Sequence, residues 1–80
     1  MPAPKLALPA ARRRALALLA GSPEGCTEAV MAAHGFALGF LAGLVREGLV
    51  SESADRVRAG KGEIEVVRLR ITAVGRAALA

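Results

Sequence analysis

The stretch GLVSESADRVRAGKGEIEVVRLRITAVGRAALA, Gly48 to Ala80, decides how the chain folds. Gly48 closes a preceding helix, because glycine accepts the left-handed backbone that a helix exit requires. Leu49 and Val50 open a strand that runs through SESADRVR to Ala59-Gly60-Lys61-Gly62, where two glycines around a lysine mark a turn between extended runs. Glu63 to Ile71 returns as the partner strand. Val67, Leu69 and Ile71 alternate with Arg68 and Arg70, so one side of the strand faces a core and the other faces water. Ile64 and Val66 have the opposite parity, and a bulge or strong twist near Val66-Val67 is expected to reconcile the two halves. Thr72 then offers an N-cap, and AVGRAALA forms a short closing helix despite Gly75.

Working upstream, Ala37 to Glu47 reads as a helix with Phe40, Leu41, Leu44 and Val45 on one face and Gly39, Ala42, Gly43 and Arg46 on the other. His34-Gly35-Phe36 joins it tightly to a shorter helix, Glu28 to Ala33, capped by Thr27. Two helices joined by a short glycine-containing turn make a helix-turn-helix candidate. Ser22-Pro23-Glu24-Gly25 is a turn cluster, and Cys26 beside it reads as a small buried filler rather than a nucleophile. Pro9 fits the first turn of a first helix that stops at Gly21. Leu8, Ala15, Leu16 and Leu19 share its apolar stripe, and Arg12, Arg13 and Arg14 span the opposite, solvated side. Residues 1–8, with Pro2 and Pro4, read as a flexible arm, leaving 9–80 as one domain.

Composition bounds the function. Eighty residues make a single small domain that buries about 60% of its unfolded surface, so almost every apolar residue is needed inside. Phe36 and Phe40 are the only aromatics, so the core is aliphatic and single strands have few rings to stack on. Eleven Lys and Arg against seven Asp and Glu give a net charge of +4, which suits a polyanion. A lone cysteine makes no internal disulfide and no secretory signal is visible, so a cytoplasmic protein is expected. The apolar run Ala29 to Val45 is at the low end of membrane-spanning length, but His34-Gly35 interrupts it and a charged tail follows, so no membrane is expected. Scattered acids, one His and no phosphate loop argue against an enzyme, a metal or a cofactor.

The close VRLRITAVGRAAL and the helix exit LVREGLV resemble winged helix-turn-helix regulators of the multiple-antibiotic-resistance repressor type. The resemblance covers about the last 45 residues; the first helix agrees only in length and position. It implies an α+β fold with a three-helix core, a C-terminal β-hairpin wing and a short closing helix. It also implies a DNA-binding protein of transcription regulation, with the third helix in the major groove and the wing along the minor groove or backbone.

On that expectation Arg56, Arg58 and Lys61 of the hairpin, with Arg46 and His34, are the candidate nucleic-acid contacts. Arg68 and Arg70 extend the ladder, or else pair with Glu52 or Asp55. Arg12, Arg13 and Arg14 form a second basic patch. The third helix is a poor reader of sequence, since Phe36, Gly39, Ala42 and Gly43 supply no side chain able to hydrogen-bond a base edge. Those four residues instead suit a homodimer or protein-partner interface, so an interaction module without DNA binding is the alternative to a double-stranded DNA binder.

Overall fold

The computed structural model describes residues 8–80. The elements run α1 (Ala10–Ala20), β1 (Cys26–Thr27), α2 (Glu28–Ala33), α3 (Leu38–Arg46), β2 (Val50–Ala59), β3 (Gly62–Ile71) and α4 (Ala73–Leu79). The strands form one antiparallel sheet in the order β1-β3-β2, so this is a small α+β domain. The arm expected over residues 1–8 lies outside the described residues save for Leu8, which packs against the core.

The core is aliphatic, as the composition requires. Leu16, Leu19, Met31, Leu44 and Leu69 are fully buried, with Ala15, Cys26, Phe36, Leu41, Leu49 and Val50 around them. Local signals fix several of the helix ends. The carbonyl of Pro9 accepts the Arg13 N–H at 3.0 Å and so opens the α1 ladder from just outside the helix, at the N-cap rather than in the first turn. Thr27 caps α2, its hydroxyl accepting the Val30 N–H at 3.2 Å.

Helices α2 and α3 both end in the same device. At α2 the Gly35 N–H donates to Ala32 and the Phe36 N–H to Met31; at α3 the Gly48 N–H donates to Val45 and the Leu49 N–H to Leu44. This six-to-one pairing needs a left-handed residue in the middle, and Gly35 and Gly48 supply it with φ of 93° and 76°. The residue after each glycine is folded back onto the helix it has just left. Phe36 and Leu49 are therefore core residues.

The α4 junction explains why the last helix tolerates Gly75. Thr72 donates its N–H to the Leu49 carbonyl at 3.1 Å and its hydroxyl to the Gly48 carbonyl at 2.6 Å, while that hydroxyl accepts the Gly75 N–H at 3.0 Å. The start of α4 is thus fixed against the α3–β2 connection. A Cβ on buried Gly75 would collide with the Leu49 carbonyl, so the glycine permits the approach.

Strands β2 and β3 pair without interruption from Val50↔Ile71 to Ala59↔Gly62. Of the bulge or strong twist expected near Val66-Val67, the bulge is absent. Instead the ribbon changes which face is apolar as it leaves the body. Near its base, Val50, Leu69, Val67 and Ile71 share the core side; toward the tip, Val57 and Ile64 pair on the other side, and Ile64 is 51% exposed. No correction of parity is needed because the distal half has no core beneath it. The molecule accordingly extends 58 Å along one axis and only about 20 Å along the others.

The two-residue strand β1 was not foreseen. Its register, Cys26↔Leu69 and Thr27↔Arg68, depends on Gly25, whose φ is 83° and whose missing Cβ makes room for the Leu69 carbonyl.

Candidate nucleic-acid interface

The structure sorts the basic residues into those with partners and those without. On the hairpin, Arg68 Nε donates to Asp55 Oδ2 at 2.5 Å, as one sequence reading expected. Arg70 donates to the Ser53 hydroxyl at 3.2 Å rather than to Glu52 or Asp55. Arg56 lies 3.7 Å from Glu63, an exposed pair that contributes little to stability. Only Arg58 and Lys61, among the described hairpin cations, make neither a hydrogen bond nor an ion pair.

The five-residue basic ladder is also divided by the register. Arg56 and Arg58 stand opposite Glu65 and Glu63, whereas Arg68 and Arg70 stand opposite Ser53 and Ser51. Residues directly opposed share a face, so the two arginine pairs lie on opposite sides of the ribbon. One face of the hairpin offers Arg56 and Arg58 with Glu63 and Glu65 interleaved, and Lys61 stands in the turn beyond them.

Helix α3 presents what its sequence promised, with one correction. Gly39 and Ala42 are exposed, Gly43 is half-buried, and Arg46 is exposed in the last turn. Phe36 is not on that surface. As the residue folded back after Gly35 it is only 6% exposed, its ring stacked on Phe40 at 5.7 Å, which removes it from both the base-reading and the interface sets. Leu38, which the sequence also offers to that interface beside Phe36, is 57% exposed in the first turn and remains its large apolar group. His34 is exposed; its Nδ1–H donates to the Val30 carbonyl at 2.9 Å.

The three consecutive arginines of α1 do not act as one patch. Arg12 crosses to α3, where it donates through both terminal nitrogens to Glu47 at 2.8 and 2.6 Å. This forked pairing holds the Glu47 carboxyl below its ordinary range, chiefly through the hydrogen bonds, and raises the Arg12 guanidinium correspondingly. Arg13 reaches the Leu79 carbonyl at the end of α4, at 3.5 Å. Arg14 lies over the Phe36 ring, 5.8 Å from its centre, beside an apolar cavity of about 210 Å³ bordered by Ala11, Gly35, Ala37 and Phe40.

Arg12 and Arg46 both border the space over Gly43. The position a Cβ would take there is 3.7 Å from one Arg46 terminal nitrogen and 4.0 Å from one of Arg12. Sequence reasoning had placed these residues in separate groups, because only the packing of α1 across α3 brings them together.

Among the described residues no group of three or more His, Cys, Asp or Glu side chains is placed to hold a metal ion. No described helix is long and apolar enough to cross a membrane, and the run Ala29 to Val45 is split between α2 and α3. The chain matches no protein-family model, no curated protein and no solved structure.

Proposed function

We propose that this chain is a small winged-helix domain that holds double-stranded DNA by its phosphate backbone, with little preference for sequence, in cytoplasmic transcription regulation. The observation that carries this reading is the long β2–β3 hairpin with Arg58 and Lys61 at its outer end, neither in an ion pair. Support also comes from the order of elements, a tightly joined helix pair followed by a two-stranded hairpin and a closing helix. The net charge of +4 favours a polyanion. Weak sequence preference follows from α3, since glycine, alanine and leucine offer base edges no hydrogen bond and only Arg46 is long and polar. Cys26, read from the sequence as a core filler, is buried.

The test is fluorescence anisotropy of a random-sequence duplex against salt. Binding is expected at low salt and should weaken linearly on logarithmic axes, with a slope of about −0.9 for each phosphate neutralised. Arg58→Ala and Lys61→Ala should each weaken binding similarly for all sequences. Absence of binding at low salt would sink the reading.

A second reading, a winged-helix interaction module without DNA binding, is favoured by one observation. Leu38 and Val30 are 57% and 41% exposed, and a Cβ on neighbouring Gly39 would meet only open space. Under that reading the chain self-associates or binds a protein through α3, and Gly39→Leu disrupts an oligomer seen by light scattering. A monomeric wild type excludes the self-associating form.

A further inference from the structure

We infer that Arg12 and Arg46 form one seat for a single backbone phosphate of duplex DNA, on the bare face of α3 above Gly43. The inference rests on the duplex-binding reading above and names a contact within it.

Two guanidinium groups converge here from different helices. One terminal nitrogen of each borders the same point, 3.7 Å away for Arg46 and 4.0 Å for Arg12, where Gly43 carries no side chain. Like charges gather in this way only when something offsets them. Glu47 does so, accepting two hydrogen bonds from Arg12 at 2.8 and 2.6 Å. One carboxylate against two guanidinium groups leaves a positive charge, and Arg46 makes no ion pair among the described residues. The fork to Glu47 engages one hydrogen on each Arg12 terminal nitrogen, so the second hydrogen of each is free to donate. The Arg12 side chain remains 26% exposed and reachable.

A phosphate fits this arrangement by charge and by shape. Its oxygens can each take a charge-assisted hydrogen bond of about 2.8 Å from a different guanidinium. The glycine floor lets the sugar–phosphate chain approach the helix, where a large side chain would fill the space. An alanine methyl would sit at ordinary contact distance, so the packing of the isolated domain does not itself demand glycine at 43.

The test measures duplex affinity against salt for the full chain, Arg12→Gln, Arg46→Gln and the double variant, with circular dichroism confirming that each is folded. If one phosphate is shared, each single change weakens binding several-fold, and the double variant makes the slope shallower by no more than about 0.9. A loss of about 1.8 in the double variant means two separate phosphates and overturns the shared seat. Unchanged affinity and slope in the double variant, with the duplex still bound, overturn the seat while leaving duplex binding intact. No binding by the wild type at low salt overturns both. Gly43→Leu should match the double variant. A polyglutamate peptide that binds as tightly as the duplex, and is lost in the same variants, would overturn the assignment to a phosphate.

Discussion

Gly75 and Gly39 sit in the first turns of short helices, yet replacing each by alanine should change stability in opposite directions. Alanine in place of glycine gains at most about 0.5–1 kcal/mol in a helix, by restricting the unfolded chain and covering backbone. At Gly39 nothing lies within 4 Å of the new methyl, so this gain stands alone. At Gly75 the methyl would enter the Leu49 carbonyl and crowd the Ile71 side chain. The backbone cannot easily retreat, because Thr72 anchors it to Leu49 at 3.1 Å and to Gly48 at 2.6 Å. Overpacking of this kind costs about 1–3 kcal/mol, and the unyielding Leu49 backbone puts it at the upper end, leaving a net loss of roughly 2 kcal/mol after the helix gain. In thermal unfolding followed by circular dichroism, about 1 kcal/mol corresponds to a Tm change of roughly 4–8 °C in a domain of this size. Gly39→Ala should therefore raise Tm by several degrees and Gly75→Ala lower it by more. A Gly75→Ala domain as stable as the wild type would refute the close approach that positions α4.

Three further outcomes follow from the packing. Gly25→Ala should lose at least about 1 kcal/mol for its left-handed backbone, more for the contact with Leu69, and amide exchange should then rise at Cys26 and Thr27 first. Phe36→Ala should cost about 3–5 kcal/mol in urea unfolding and Phe40→Ala clearly less, because Phe36 is buried and Phe40 only half-buried; equal losses would contradict the placement of Phe36. Glu47 has a folded pKa below its ordinary value of 4.5, held there first by the Arg12 hydrogen bonds. Its stabilising effect is thus complete above that value and lost as pH falls through the lower folded one. Glu47→Gln should flatten that part of the acid-stability curve, and an unaltered curve would show the pair to be inert.

Much of this architecture was legible in the sequence because it depends on local signals. Thr27, Thr72, Gly35 and Gly48 mark helix ends by mechanisms that act within a few residues, and the Gly60-Lys61 turn with flanking strands needs no distant partner. Burial of Phe36 was missed although its signal was present: the residue after a C′ glycine commonly folds back onto its helix. The two-residue β1 has no periodicity to detect, and only Gly25 hinted at a close approach. The hairpin was misread for a different reason. A single apolar parity requires a core along the whole ribbon, whereas the distal pair Val57 and Ile64 lies beyond the body.

The candidate site was less legible than the fold. Residue types showed which cations existed, but compensation depends on register and packing. Arg56 and Arg68 have acidic partners across the hairpin, while Arg12 leaves its two neighbours to join Glu47 and Arg46. Neighbours in sequence thus became separate features, and residues 34 positions apart became one.

The most direct test is a titration of the isotopically labelled chain with a random-sequence duplex at low salt, followed by amide chemical shifts. Duplex binding through α3 and the hairpin should move Gly39, Ala42, Gly43 and Arg46 together with Arg58, Gly60 and Lys61, while Leu16, Leu19 and Met31 stay in place. An unchanged spectrum, or shifts confined to other surfaces, would contradict it.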